Sequence, residues 1–217
     1  MKLLELFAGS RSVGKEAEKM GFDVFSVDLV EFNKIDLVKD IEFLKIKDIP
    51  FVPDIIWASP PCTTYSIAAI SHHRNHQEPK SEFAKKSDRL VLKTLEIIAS
   101  FPNAIYYIEN PRGMLRKMSF MQGLPRATVT YCQYGDSRMK PTDIWSNNIF
   151  SIFCPDGWQP KPMCKNGDSC HEAAPRGSKT GTQGRSSAYL RSIIPPSLCR
   201  DILAMPNPRV NLTCGSE

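Results

Sequence analysis

The stretch DIIWASPPC, residues 54–62, constrains this chain more than any other. An apolar run of strand length, Asp54 to Trp57, is followed almost at once by Pro60 and Pro61. Neither proline can donate to a sheet ladder, and their fixed φ stops the strand at a rigid turn. Cys62 therefore falls on a loop at the carboxyl end of a buried strand, the edge where open α/β sheets carry their chemistry. Taken alone, the stretch reads equally as a structural turn with a half-buried cysteine or as a nucleophile loop.

The flanking sequence narrows the choice. Leu3 to Phe7 reads as a buried strand, Ala8 to Gly14 as a glycine loop, and Lys15 to Met20 as a helix closed by Gly21. A second strand, Phe22 to Val27, ends at Asp28, about 20 residues past the loop, where an acid can accept hydrogen bonds from ribose hydroxyls. The loop spacing is GxxxxG rather than the dinucleotide GxGxxG. Beyond Cys62, Thr63 to Arg89 forms a long polar segment carrying His72, His73, His76, Arg74, Lys80, Lys85 and Lys86. Loops of this length are usually functional or mobile. Its HHxxH cluster has no acidic or Cys ligand at close spacing, so it reads as a basic loop suited to phosphates rather than as a metal site.

A helix is predicted from Ser87 or Asp88 to about Phe101. The strand Ala104 to Ile108 then delivers Glu109-Asn110-Pro111 to the same sheet edge as Cys62. A helix over about 113–121, a strand from Thr128 to Cys132, a turn at Tyr134 and Gly135, and a strand near Asp143 to Trp145 follow. The alternation predicts an α/β fold with a mostly parallel sheet and an antiparallel edge.

After Phe153 the composition shifts to Pro, Gly, Cys and basic residues without periodicity. Cys154, Cys164, Cys170 and His171, spaced C-x9-C-x5-C-H, are candidate zinc ligands there; the alternative is buried or incidental cysteines. Ile194 to Ser197 caps a last helix reaching about Leu203, and the tail from Pro206 is expected to fray. Seven cysteines without an export signal argue against a disulfide framework. A net charge of +5 permits a polyanionic partner without requiring one. No apolar run approaches the ~20 residues that span a bilayer, so a cytoplasmic protein without membrane partners is expected.

In order, the elements are FAGSRSVG, SVD, KDI, SPPCTTYS, IENP, YCQYGDSRMKPT and IPPSL. This set resembles the cytosine-5 DNA methyltransferase family. The resemblance implies a Rossmann-like class I S-adenosylmethionine-dependent methyltransferase sheet. The catalytic domain would span 1–150 and 185–205, with 151–184 as a reduced target-recognition insertion and 206–217 as a tail. It implies Cys62 as the nucleophile that adds to carbon 6 of cytosine, Glu109 as the acid at ring nitrogen 3, and Asn110 as a brace for the Cys62 loop. Arg138 or Lys140 would hold the cytosine carbonyl oxygen. Phe7, Ala8, Gly9, Ser10, Gly14 and Pro60 would border S-adenosylmethionine, with Asp28 at its ribose and Asp40 and Ile41 at its adenine. Segment 63–89 corresponds to the loop that closes over a flipped base, the substrate being duplex DNA with the cytosine turned out or a single strand. Ser66, Arg74, Lys80, Lys161, Lys165, Arg176, Lys179 and Arg185 are the expected DNA contacts.

Thr63 stands where the family has Gln, Pro111 where it has Val, and Arg11 lies inside the cofactor loop; none of these removes a reacting group. The short insertion looks like that of abbreviated phage and prophage enzymes, and it leaves room for a separate target-recognition subunit. Two other readings compete. One is an amino-methyltransferase acting on cytosine N4 or adenine N6, with SPPCTTY as a variant of its SPPY-type loop. The other is a DNA-binding accessory protein without catalysis, or half of a split enzyme.

Overall fold

Residues 1–152, 154–172 and 187–204 are described by the computed structural model. The elements run β1 (Lys2–Leu6), α1 (Ser12–Lys19), β2 (Asp23–Asp28), β3 (Leu37–Val38), β4 (Ile55–Ala58), α2 (Ile70–His73), β5 (Arg74–Asn75), β6 (Glu78–Pro79), α3 (Glu82–Ala99), β7 (Ile105–Pro111), β8 (Arg126–Thr130), β9 (Pro141–Ser146), α4 (Ala188–Ser192) and α5 (Pro196–Leu203). Seven strands form one sheet in the order β3-β2-β1-β4-β7-β9-β8. The strands from β3 to β7 are parallel, while β9 runs antiparallel to both β7 and β8. The predicted mostly parallel sheet with an antiparallel edge is thus the observed one.

Strand periodicity sorts the core onto two faces. Leu4, Leu6, Ile56, Ala58, Tyr106 and Ile108 pack with Leu90, Val91 and Ile97 of α3. Their neighbours Leu3, Ile55, Trp57 and Tyr107 pack on the other side with Val13 and Ala17 of α1 and Leu198 and Ile202 of α5. Sequence order runs outward from β1 in one direction and from β4 in the other, so the chain reverses its winding between these two strands. The loops after β1 and β4 therefore part at the carboxyl edge and leave a crevice between them.

Three local expectations change. Helix α3 starts at Glu82, earlier than predicted, because Ser81 caps it by accepting from the Ala84 N–H at 3.1 Å. The span predicted as a helix over about 113–121 is two 3-10 turns, Met114–Lys117 and Ser119–Met121, separated by the extended Met118. Strand β8 stops at Thr130, and Tyr131–Tyr134 coils as a 3-10 turn that the left-handed Gly135 closes, which takes Cys132 off the strand. The expected tail from Pro206 lies outside the described residues.

Glu5 is a buried acid in the middle of β1, 2% exposed. Its Oε1 accepts from the Gly14 N–H at 3.0 Å, and its Oε2 accepts from Ser26 Oγ, which in turn accepts from Arg11 Nε. Gly14 is needed for this approach, since a Cβ there would lie 2.4 Å from Glu5 Oε2. Gly14 thus serves to seat α1 on the sheet. Burial raises the Glu5 carboxyl to about 7, against the hydrogen bonds and the Arg11 charge that favour ionisation. The folded protein therefore holds this proton more tightly than the unfolded chain. The resulting stabilisation is full below pH 4.5 and is lost as pH rises through about 7. The whole change amounts to about 3 kcal/mol. Glu5→Gln keeps an acceptor for Gly14, so its urea midpoint is expected to fall less between pH 5 and pH 8 than that of the unsubstituted protein. Parallel midpoints for the two proteins across that range would show that Glu5 does not titrate there.

Candidate active site

Both reacting groups suggested by the sequence stand at the carboxyl edge of adjacent strands. Cys62 follows β4, and Glu109 and Asn110 are in the last turn of β7, its parallel neighbour. Asn110 is fully buried and donates its Nδ2–H to the Pro60 carbonyl at 2.9 Å, so the residue after the acid braces the turn before the thiol. Gly113 allows the two loops to touch, because a Cβ there would lie 2.5 Å from the Tyr65 carbonyl oxygen. The two prolines and this glycine give the Cys62 loop a fixed backbone on both sides.

Glu109 is 5% exposed. Its Oε1 accepts the Tyr131 hydroxyl at 2.9 Å and lies 4.0 Å from Lys140 Nζ. Among the described residues its Oε2 takes no hydrogen bond, which leaves that oxygen for a ligand. Tyr131 keeps its proton and acts as donor, because burial and then the Glu109 charge hold its phenol far above the ordinary range. Burial and the same carboxylate also push the Cys62 thiol up, while Lys140 opposes them. The thiol is therefore protonated in the free site, and a proton must leave before it can attack. Burial lowers the Lys140 ammonium, Glu109 raising it in opposition. Lys140 also sits 4.4 Å from the centre of the Tyr131 ring and donates to the Arg191 carbonyl.

The sequence left Arg138 and Lys140 undivided, and the geometry separates them. Arg138 is 1% exposed, forks onto the Asp136 carboxylate and reaches the Arg191 and Ile193 carbonyls. Lys140 is the cation beside Glu109.

On the other side of the crevice, Phe7, Gly9 and Arg11 all adopt positive φ, so the loop after β1 coils tightly at its strand end. Asp28 joins this loop to β2, with Oδ2 accepting from the Gly9 N–H at 2.9 Å and Oδ1 from the Val30 N–H. Each oxygen keeps a further lone pair. Leu29 and Val30, both more than half exposed, set apolar surface next to that carboxylate. A polar acceptor flanked by exposed apolar side chains fits a ribose with its attached base. Ser10 and Ser12 line a neighbouring cleft of about 500 Å³ between α1 and the segment from Tyr189 to Pro196, a cleft that includes neither Cys62 nor Glu109.

Asp40 and Ile41 are less open than expected. The Ile41 side chain is 2% exposed and belongs to the core. Asp40 accepts from the Glu42 N–H and from Lys86 Nζ at 2.7 Å. Burial works to raise Asp40, but the Lys86 and Glu42 hydrogen bonds and the positive charges of Lys86 and Arg89 hold it below its ordinary value. Arg89 reaches Glu42 in the same turn at 2.5 Å.

Of the expected DNA contacts, Lys80 and Lys165 are exposed and Ser66 is half-buried. Lys161 is exposed but engaged, donating to the Gln133 carbonyl and lying over the Tyr134 ring. Arg176, Lys179 and Arg185 lie outside the described residues. Arg74 is a correction. It is 3% exposed, holds the Asp88 carboxylate with two nitrogens at 2.5 and 3.0 Å, donates to the Thr64 carbonyl and covers the Tyr65 ring at 4.4 Å. It organises the loop from within and has no free face for a phosphate. The zinc candidates are also regrouped: Cys164, Cys170 and His171 gather around Cys132, while Cys154 stands elsewhere and is disulfide-bonded, contrary to the expectation of cysteines without disulfides.

The switch point between β1 and β4, with the antiparallel β7-β9-β8 edge, defines a Rossmann-like fold of the methyltransferase class. Two solved structures share it at a TM-score of 0.50 and 15% identity: a DNA modification methyltransferase encoded within an E. coli prophage, and the Entamoeba histolytica methyltransferase EhMeth. The matches cover 71% and 67% of this chain and 51% and 52% of those structures, so the chain spans about half the length of each. The sequence model of the C-5 cytosine-specific DNA methylase family matches residues 1–122, and the chain belongs to that family. It is 28% identical over 218 aligned residues to the "Probable DNA (cytosine-5)-methyltransferase" of Frog virus 3, isolate Goorha, covering 94% of this chain and 99% of the viral protein. Among the described residues, no helix is long and apolar enough to cross a membrane.

Proposed function

We propose that this protein transfers a methyl group from S-adenosylmethionine to carbon 5 of cytosine in DNA, through a covalent bond between Cys62 and carbon 6. The observation that carries the reading is the meeting of Cys62 and Glu109 at one sheet edge, braced by the Asn110 bond to Pro60 and facing the coiled loop after β1. S-adenosylmethionine, when bound, supplies an electrophilic methyl group. Phe7 to Ser10, Pro60 and the Asp28 carboxylate would hold it, with Leu29 and Val30 as apolar flanks.

The rest is the work of this chain's own groups. The Cys62 proton passes to the Glu109 carboxylate as the sulfur adds to carbon 6, and Glu109, now protonated, gives that proton to ring nitrogen 3, which takes the displaced electron pair. Carbon 5 thereby becomes nucleophilic and takes the methyl. Water takes the carbon-5 proton as Cys62 leaves as thiolate, and nitrogen 3 returns its proton to Glu109, which restores the ring. Tyr131 fixes the Glu109 carboxyl, and Lys140, the cation beside Glu109, would hold the cytosine carbonyl oxygen. Because carbons 5 and 6 are covered inside a duplex, the base must be flipped out or already unpaired. Residues 1–150 and 185–205 serve as the catalytic domain, and 151–184 as a small recognition insertion carrying Lys161 and Lys165.

The test is chemical identification of the product. After incubation with labelled cofactor, digested DNA is expected to carry the label as 5-methylcytosine; label on cytosine N4 or adenine N6 would replace this reading with the amino-methyltransferase one. A second reading, in which another chain supplies most of the recognition surface, draws on the match to only about half of each solved structure. Methylation by the purified chain alone would exclude it.

A further inference from the structure

Four side chains that take no part in the proposed reaction converge beside it. The sulfurs of Cys132, Cys164 and Cys170 and a nitrogen of His171 all lie within 4.8 Å of one another, the one such group among the described residues. Cys132 Sγ is 3.1 Å from Cys164 Sγ and 3.6 Å from Cys170 Sγ. His171 Nδ1 is 3.6 Å from Cys164 Sγ and 3.5 Å from Cys170 Sγ. Zinc–sulfur bonds of about 2.3 Å and zinc–nitrogen bonds of about 2.0 Å at tetrahedral angles give edges of about 3.8 Å between sulfurs and about 3.5 Å between sulfur and nitrogen. The two sulfur–nitrogen distances to Cys164 and Cys170 match, Cys132 and Cys170 are close to the edge length, and Cys132 and Cys164 stand nearer than a bound ion would set them. All three thiols are free, and their separations far exceed a disulfide bond of about 2.05 Å.

We propose that Cys132, Cys164, Cys170 and His171 bind one zinc ion in a closed tetrahedral site. Four protein ligands leave no open position for water, so the ion is structural. On binding, each of the three thiols releases its proton to solvent and His171 coordinates as neutral imidazole through Nδ1, giving a centre of net charge −1. Nδ1 is the ring nitrogen nearer the backbone, which lets adjacent residues 170 and 171 both reach the ion. Gln133 Nε2 lies 3.5 Å from Cys170 Sγ as a donor to that thiolate.

The segment from Gln159 to Glu172 has no helix or strand, and most of its residues are exposed. It is otherwise tied to the sheet end by backbone bonds from Lys161 to the Tyr134 hydroxyl, from Cys164 to Thr130 Oγ1 and from Glu172 to the Ser137 carbonyl. A metal at Cys132 would pin this segment one residue from Tyr131, whose hydroxyl holds Glu109.

The test uses the full chain purified under reducing conditions without chelator. Elemental analysis is expected to find on the order of one zinc per chain, lost in Cys164→Ser and Cys170→Ser and kept in Cys62→Ala. Retention of zinc by the cluster variants, or its loss in Cys62→Ala, would overturn the assignment. Should the cluster variants not fold, cobalt replacement in the unsubstituted protein decides instead. Tetrahedral d–d bands with thiolate charge transfer support the site. Their absence, zinc below about a tenth of an equivalent, or a Cys132–Cys164 disulfide in peptide maps of the native protein overturns it.

Discussion

Replacing Cys62 by Ala is expected to reduce methyl transfer by on the order of 10⁴-fold or more, while leaving affinity for S-adenosylmethionine unchanged. The reaction as proposed has no other way to make carbon 5 nucleophilic, and Cys62 sits on a turn whose backbone is set by two prolines and by Asn110 rather than by its own side chain. The variant should therefore fold with its cofactor loop intact. Cytosine fluorinated at carbon 5 gives a second readout. Fluorine cannot leave as the proton does, so the adduct should persist and map by mass spectrometry to Cys62. Glu109→Gln is expected to lose about 10²–10⁴-fold, because the amide keeps a hydrogen bond but cannot deliver a proton. Turnover by the Cys62 variant near the original rate would remove covalent catalysis from consideration.

Substitution of Asp88 by Ala is expected to destabilise the protein by about 3–5 kcal/mol, since it leaves the Arg74 guanidinium buried without its counter-ion. Removing both partners as Arg74→Met with Asp88→Leu should recover much of that loss, because no charge is then stranded. Urea unfolding of the three proteins measures this directly. A fall of less than about 1 kcal/mol for Asp88→Ala would mean that water reaches Arg74 after all. The same variant should speed alkylation of Cys62 in the folded protein, since Arg74 holds the Thr64 carbonyl and covers Tyr65 on the loop that follows the thiol.

The sheet, and the arrival of Cys62 and Glu109 at one edge of it, were legible because both depend on short-range sequence. Apolar runs broken by Pro60 and Pro61, and the strand that ends in Glu109, fix which residues reach the carboxyl edge. What was hidden depends on distant segments meeting. Tyr131 has no mark in the sequence that ties it to Glu109. Arg74 reads as surface because it lies in a polar stretch, yet its partner waits in the first turns of α3. Cys154 seemed a natural fourth ligand through nearness in the chain, whereas the segment after Lys161 folds back to the turn that carries Cys132. The choice between Arg138 and Lys140 could have been anticipated, because Asp136 stands two residues before Arg138, close enough to neutralise it locally.

The amino-terminal half of α3 grips both sides of the crevice. Lys86 and Arg89 hold the turn containing Asp40 and Glu42, and between them Asp88 holds Arg74 and Tyr65. Three positions on one helix thus join the turn after β3 to the loop after Cys62. A ligand that shifts the Asp40 turn must shift this helix or break its ion pairs, and in either case the strain reaches the loop after Cys62. Any ligand that moved the Asp40 turn and any that moved the loop after Cys62 would then be thermodynamically linked, each changing the affinity for the other by the same factor.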